Sequence, residues 1–164
     1  MNTNWFEAKV RYIKNTEDGR QIKTTESYIV DAMSYTEAEA RILKEMETIM
    51  STDYNLATLK KSNITEIIPS DSESDDRWYK AKIVIVDVDE FSGKEKKANQ
   101  YFLIAASNIR RALDNLEKSM QRYVIPYEIG SITDTSIMDV YPFVADEYPT
   151  ESTSGEESAS EGHE

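Results

Sequence analysis

Apolar and polar side chains alternate along the segment that opens the chain. Between Trp5 and Ile13, apolar or aromatic residues occupy every second position, and charged residues occupy most positions between them. Period-two alternation is typical of a β-strand with one buried face. The predicted buried face consists of Phe6, Ala8, Val10 and Tyr12, and the predicted outer face consists of Trp5, Glu7, Lys9 and Arg11. We therefore expect a half-buried strand here.

The same pattern returns 73 residues further along the chain. Residues 5–69 and 78–142 align without a gap at this offset, with 12 identities in 65 positions. The identical pairs include Trp5 and Trp78, Lys9 and Lys82, Tyr28 and Tyr101, and Ser34 and Ser107. A register shared over such a length is typical of a duplicated structural unit. The alignment therefore predicts two copies of one fold.

Each copy is predicted to contain a strand, a turn, a second strand, a helix and a final extended segment. The polar, glycine-containing stretches at 15–21 and 89–94 suit hairpin loops. The helices are predicted to begin after Ser34 and Ser107, because a serine side chain accepts hydrogen bonds from free backbone N–H groups. Ser34 also forms a predicted capping box with Glu37.

These elements predict an α+β fold, built as a tandem duplication of a β-β-α-β(β) unit. The sheets are expected to be mostly antiparallel, each covered by one helix, with the two units in a pseudo-two-fold arrangement. The first repeat unit is expected at residues 1–69 and the second at 78–143. An acidic linker at 70–77 joins them, and a disordered acidic C-terminal tail is expected at 144–164.

Charge and composition narrow the class of protein. The net charge is −12, from 19 Lys and Arg against 31 Asp and Glu, and the linker and tail carry most of the excess. The predicted folded body is close to neutral, so the acidic composition does not exclude a nucleic-acid partner. Cysteine is absent, and the single histidine is His163. The sequence therefore offers no disulfide, no thiolate metal site and no cysteine nucleophile.

Common signatures of catalysis, targeting and membrane insertion are missing from the sequence. It has no glycine-rich phosphate loop and no nucleophile or zinc motif. Its first residues lack the pattern of a signal peptide, and no apolar run approaches the ~20 residues that cross a bilayer. We therefore expect a cytoplasmic protein without enzymatic activity, cofactor, metal or membrane partner.

The outer strand faces are the sharpest candidate for a binding site. Aromatic rings alternate there with cations, which suits single-stranded nucleic acid because rings stack on bases and cations neutralise phosphates. The candidate residues are Trp5, Lys9, Arg11, Trp78, Lys80 and Lys82. The structural alternative is that each tryptophan packs against the other half of the molecule, while the lysines are ordinary solvated positions.

Several strings of residues resemble a known family. They are Asn-Trp-Phe-Glu-Ala-Lys-Val-Arg-Tyr from residue 4, Tyr-Ile-Val-Asp-Ala-Met-Ser-Tyr-Thr-Glu-Ala-Glu-Ala-Arg at 28–41, Asp-Asp-Arg-Trp-Tyr-Lys at 75–80 and Ile-Met-Asp-Val-Tyr-Pro at 137–142. Together they resemble an uncharacterised family, a domain of unknown function found in gut Bacteroidales genomes, prophages and phages. The resemblance covers about residues 4–143 and implies a mobile-element setting, without assigning functional residues.

Three hypotheses for the function follow from these observations. The first is a non-catalytic binding protein of a phage or mobile element that engages single-stranded DNA or RNA in replication or recombination. The second is a protein-interaction or anti-host-defence factor that docks on a host or phage protein. The third is a structural protein that forms homo-oligomers. Salt dependence separates the first two, because phosphate neutralisation weakens steeply as salt rises.

Overall fold

The computed structural model describes residues 3–143, which form two four-stranded sheets and two helices. In chain order the elements are β1 (Asn4–Asn15), β2 (Gln21–Ala32), α1 (Tyr35–Ile49), β3 (Tyr54–Lys61), β4 (Ile64–Ile68), β5 (Arg77–Val88), β6 (Glu95–Ala106), α2 (Ile109–Met120), β7 (Tyr127–Asp134) and β8 (Ile137–Tyr141). The strand order is β3-β1-β2-β8 in the first sheet and β4-β6-β5-β7 in the second. The predicted α+β class is confirmed. The predicted tail at 144–164 lies outside the described residues.

The last strand of each copy belongs to the sheet of the other copy. β4 pairs with β6 and β8 pairs with β2, and both of these pairs are parallel. The pairs β1–β2, β1–β3, β5–β6 and β5–β7 are antiparallel. Each sheet therefore contains three strands from one copy and one strand from the other. We call β4 and β8 the exchanged strands. Consequently, the two halves of the molecule in space do not coincide with the two units in the sequence.

Each sheet buries one face under a helix, as the alternation predicts. Along β1 the side chains of Phe6, Ala8 and Val10 are buried, whereas Tyr12 is partly exposed near the hairpin. The equivalent buried residues of β5 are Tyr79, Ala81 and Ile83. The helices cover these faces with Ala38, Ile42 and Met46 from α1, and with Ala112, Leu116 and Met120 from α2. The same strand pattern thus produces the same core in both halves.

The two copies do not share the ungapped register that the sequence predicts. Asn4 of β1 pairs with Ala32, whereas the equivalent Arg77 of β5 pairs with Ala106 and not with Ala105. The second hairpin loop is therefore one residue longer than the first. From this loop to the end of the helix, equivalent residues are 74 apart, as between the capping residues Ser34 and Asn108. This corrects the prediction of a single offset.

The original offset returns after the helix. Lys61 pairs with Phe6, and Asp134 pairs with Tyr79, so the strands β3 and β7 are again 73 residues apart. Within the shifted part, Gly19 and Gly93 become equivalent, with φ of 85° and 70°. Only glycine adopts this left-handed region freely, which explains why both loops carry one there. The identities of Tyr28 with Tyr101 and of Ser34 with Ser107 are therefore coincidental.

The helix caps show the consequence of this shift. Ser34 caps α1 as predicted, because its Oγ accepts a hydrogen bond of 3.1 Å from the Glu37 N–H. The cap of α2 is Asn108, whose Oδ1 accepts a bond of 2.9 Å from the Arg111 N–H, so the prediction of Ser107 is wrong. Oε1 of Glu37 is buried without a hydrogen-bond partner and does not complete the predicted capping box.

Polar side chains hold the ends of both exchanged strands on the helices. Arg41 of α1 donates a hydrogen bond of 2.9 Å to the Pro142 carbonyl, directly after β8. After β4, the Ser70 hydroxyl donates to Asp75, and Asp75 also forms an ion pair of 3.2 Å with Arg111 of α2. Each exchanged strand is therefore attached at its C-terminal end to the helix that covers its new sheet.

Candidate nucleic-acid interface

The outer faces of the two sheets meet around the exchanged strands. Buried Ile29, Ile64 and Leu103 form the centre of this contact, and Trp5 and Trp78 pack against it. Both tryptophans are partly buried. Their contacts are those of an interface between the two halves, which is the arrangement that the structural alternative describes. The role of the six candidate residues in binding nucleic acid stays a prediction.

Lys9 and Arg11 lie further along the outer face of β1. Arg11 is exposed and Lys9 is partly exposed. Neither takes part in an ion pair within residues 3–143. Their neighbours on the adjacent strands are hydroxyl and amide side chains, namely Ser27 and Thr25 of β2 and Thr58 and Asn55 of β3. This part of the sheet is therefore cationic and polar.

Lys80 and Lys82 lie on the outer face of β5, next to an aromatic residue of β6. Tyr101 of β6 is the cross-strand partner of Lys82. The ammonium group of Lys80 lies over the Tyr101 ring, and it also donates a hydrogen bond of 2.7 Å to Oδ1 of Asn63. Tyr101 is partly exposed. The structure thus places one cation over a partly exposed aromatic ring, with a second lysine two residues further along the same strand face.

Tyr101 is a candidate binding residue that the sequence analysis does not identify. The ungapped alignment matches it with Tyr28, a buried residue under α1, and so suggests a structural role. The observed register makes Tyr101 equivalent instead to Ser27, because both are paired with the first residue of an exchanged strand. The sequence does contain a signal for this shift, because each hairpin loop has one glycine, and Gly19 matches Gly93 only at an offset of 74.

The exposed surface of helix α1 has the opposite charge character. α1 carries Glu37, Glu39, Glu45 and Glu47, and its only cations are Arg41 and Lys44. Arg41 is buried, so Lys44 is the exposed cation of this helix. The surface of α1 is therefore net acidic, which disfavours contact with a polyanion. Helix α2 differs, because it carries three cations and two acids.

Tyrosines on the helix-covered face of the first sheet are committed to internal contacts. Tyr12 and Tyr28 both donate hydrogen bonds of 2.7 Å to the Glu26 carboxylate. The hydrogen bond to Glu26 raises the pKa of Tyr12, and burial together with Glu26 raises the pKa of Tyr28. Tyr141 of the exchanged strand β8 stacks on Tyr28, with ring centroids 5.9 Å apart. These tyrosines join the strands of the first sheet, and Tyr28 is buried among them.

Metal ligands are not assembled anywhere in residues 3–143: no group of three or more His, Cys, Asp or Glu side chains could hold a metal ion there. His163 lies outside the described residues. Over the same residues, neither helix is long and apolar enough to cross a membrane.

A family model, the domain of unknown function DUF4494, matches residues 4–143. Since this match covers most of the chain, the protein belongs to that family. It spans both copies of the duplicated unit and both exchanged strands, so the family unit is the whole two-sheet body. No curated protein matches the chain.

Proposed function

We propose that this protein is a non-catalytic binding protein that engages single-stranded nucleic acid through the uncovered faces of its two sheets. The observation that carries the proposal is the arrangement of Lys80, Tyr101 and Lys82. An aromatic ring with cations beside it offers stacking for a base and charge for the adjoining phosphates.

Cations on the other sheet extend this surface. Lys9 is equivalent to Lys82, and Arg11 follows it on the same face without an ion-pair partner in the described part of the chain. A phosphate that binds such a residue does not have to displace a carboxylate. Trp5 and Trp78 have a supporting role in this proposal, since they pack against the apolar contact between the two sheets.

The biological setting is also part of the proposal. A phage or mobile element of gut Bacteroidales, a location in the host cytoplasm and a role in replication or recombination come from the sequence resemblance. The acidic residues after residue 143 would then compete with nucleic acid for the cationic sheet faces.

A salt series tests the proposal. The full chain is titrated into a fluorescently labelled single-stranded oligonucleotide, and binding is followed by anisotropy. Because each phosphate contact contributes about −0.7 to the slope of log affinity against log salt, we expect Lys9→Gln with Lys82→Gln to reduce that slope by about 1.4. The same change of charge at Lys44 and Lys118, an equivalent exposed pair on the two helices, is the matched control.

Two results would contradict nucleic-acid binding. One is the absence of binding at low salt. The other is a slope that changes equally in the sheet variant and the helix variant, because the contact would then be non-specific attraction to the net charge.

A second candidate function, docking on another protein, has its own supporting observation. Phe91 at the tip of the second hairpin is 98% exposed, and Val124 in the loop after α2 is 95% exposed. A partner that covered these side chains would remove apolar surface from water, which favours association. Under this alternative, Phe91→Ser would abolish capture of a host or phage protein, or self-association, while oligonucleotide binding would be absent.

A further inference from the structure

We propose that a crevice on the pseudo-two-fold axis binds a phosphate group carried by a nucleotide or by the end of a nucleic-acid strand. The crevice has a volume of about 580 Å³ and lies between the turns that lead into the two exchanged strands. Its walls include equivalent residues from both copies, namely Lys61 and Asp134, Ser62 and Thr135, and Asn63 and Ser136. This volume falls in the range of about 300–1,000 Å³ that is typical of small-molecule sites.

The charge of the crevice favours an anion. Lys60, Lys61 and Lys80 line it, together with the two acids Glu7 and Asp134. Glu7 lies 3.6 Å from the Lys60 ammonium group, so its charge is compensated within the wall.

The negative charge of the Asp134 carboxylate is compensated more completely than that of Glu7. Its Oδ2 accepts a hydrogen bond of 2.6 Å from Arg77, and its Oδ1 accepts one of 2.9 Å from the Thr135 N–H. Lys61 forms no ion pair within the part of the chain that the structure describes. The ammonium groups of Lys61 and Lys80 are therefore the uncompensated charges of the site.

The arrangement of donors suits phosphate better than a single carboxylate. Lys80 is oriented by its hydrogen bond to Asn63, which leaves two further N–H groups to donate. Ser62 accepts a bond from the Ile64 N–H, so its own hydroxyl proton is free to donate into the crevice. Donors from both halves converge on one space, as a ligand with three anionic oxygens requires, and lysine is a common point-charge partner of phosphate.

This inference rests on the proposed function, because the choice of nucleic acid as a carrier of the phosphate comes from it. The carrier is a free mononucleotide or the 5′-terminal phosphate of a strand, and the shared chemistry is a phosphomonoester. Occupancy should be visible in tryptophan fluorescence, because both turns are attached to tryptophans. The Ser62 N–H donates to the Trp5 carbonyl at 2.8 Å, and the Thr135 hydroxyl donates to the Trp78 carbonyl at 2.7 Å.

The experiment titrates the full chain with thymidine 5′-monophosphate, thymidine and inorganic phosphate, followed by tryptophan fluorescence and calorimetry. We expect the monophosphate to bind and thymidine not to bind. Lys61→Gln and Lys80→Gln should each weaken the monophosphate at least tenfold, whereas Lys44→Gln should leave it unchanged. Displacement of the monophosphate by inorganic phosphate would support the site and show that the phosphate group itself is recognised. Tighter binding of an oligonucleotide with a 5′-phosphate than without one would support the site and indicate a strand end.

Equal binding of thymidine and its monophosphate would overturn the inference, and so would monophosphate binding that Lys61→Gln and Lys80→Gln leave unchanged. Failure of the proposed phosphate site can be distinguished from failure of the proposed function. If oligonucleotides bind through Lys9 and Lys82 while the monophosphate does not bind, the sheet-face proposal stands and the crevice site is wrong. If the monophosphate binds through Lys61 while oligonucleotides with and without a 5′-phosphate do not bind, the crevice site stands and the sheet-face proposal is wrong.

Discussion

The ammonium group of Lys80 lies 5.0 Å from the ring centroid of Tyr101. Lys80 belongs to β5 and Tyr101 to the neighbouring strand β6, and both are on the face that no helix covers. Tyr101 is also paired with Ile64, the first residue of the exchanged strand β4. The ring therefore stands where the sheet of one copy receives a strand from the other. The strand exchange itself places the ring beside the crevice at the pseudo-two-fold axis.

Replacement of Tyr101 tests whether this ring stacks on a base. We expect Tyr101→Ala to weaken single-stranded oligonucleotide binding by about 1–3 kcal/mol, and Tyr101→Phe to retain most of the affinity, because the ring and not the hydroxyl does the stacking. Anisotropy titrations of the full chain measure both. Tyr35→Ala is the control, since Tyr35 is half exposed on α1. Equal losses in the Tyr101→Ala and Tyr35→Ala variants would show that the ring has no special role.

Asp75 is predicted to stabilise the end of the exchanged strand β4. It accepts hydrogen bonds from the Ser70 hydroxyl, the Ser107 N–H and Arg111, although it lies in the segment that the sequence describes as a linker. Removal of a buried acceptor leaves its donors unpaired, so we expect Asp75→Ala to lower the free energy of unfolding by about 1–3 kcal/mol. Chemical denaturation measures this. The exposed neighbour Asp76 is the control, and an equal effect of Asp76→Ala would refute the assignment.

The same contacts make part of the stability depend on acid pH. The hydrogen bond from Ser70, followed by Arg111, lowers the pKa of Asp75 from its ordinary value of 3.8. A carboxyl group whose pKa is lower in the folded state contributes stability above the unfolded pKa, and this contribution is lost as pH falls through the folded pKa. The difference in unfolding free energy between the natural protein and Asp75→Asn should therefore be constant near neutral pH and shrink below about pH 4. A difference that grows in acid would contradict this.

Tyr141 predicts a change in stability at alkaline pH. Burial, and then the charge of Asp139, raises the pKa of Tyr141 to about 12. The neutral phenol is favoured in the folded state, so its contribution is complete below the ordinary pKa of about 10 and is lost as pH rises towards 12. We expect the stability of Tyr141→Phe to fall less steeply above pH 10. Denaturation curves at several alkaline pH values measure the slope, and equal slopes in both proteins would contradict the prediction.

Cleavage between the two copies tests the strand exchange. A protease site placed between Glu73 and Ser74, both exposed, allows the folded chain to be cut. Because β4 pairs with β6 and β8 with β2 across the cut, we expect the two fragments to remain together in gel filtration without denaturant. The first fragment produced alone should not be a stable monomer. Separation of the cut fragments under native conditions would refute the exchanged topology.

Removal of residues 144–164 tests the role of the acidic segment. This part of the sequence contains seven acids and no lysine or arginine. If it competes for the cationic sheet faces, the shortened chain should bind single-stranded oligonucleotides more tightly at low salt, and the difference should fade as salt rises. A chain of the same length with neutral residues in place of the acids is the control. Unchanged affinity in both would show that the segment does not compete.

The local elements of this fold are predictable from the sequence because each has a local signal. Alternation predicts β1 and its buried residues, and the positions of polar residues and glycine predict both hairpin loops. The cap of α1 follows from Ser34, which has no competing acceptor beside it. In α2, Ser107 and Asn108 are both capable of capping, so a one-residue shift in the alignment is enough to select the wrong one.

The partners of the final strands are not predictable in the same way. β4 and β8 are five-residue apolar segments that would fit the edge of either sheet. Only long-range contacts decide between these edges, such as Arg41 with Pro142 and Glu66 with Arg122 at 2.5 Å. The crevice cannot be predicted from the sequence for the same reason, because Lys61 and Lys80 line one crevice only when the final strands are exchanged. Sequence alternation identifies the outer faces but not which part of them remains uncovered.

The exchange of final strands has a consequence for how such a duplication can change during evolution. A copy that was deleted or transferred to another gene would leave the remaining copy short of one strand and with another that has no sheet to join in its own chain, so a single copy could complete its sheet only by pairing with a second chain. A harmful substitution in one copy is therefore felt by both. The pair persists as a single heritable module, even though its two members are free to specialise, as the replacement of Ser27 by Tyr101 at equivalent positions illustrates.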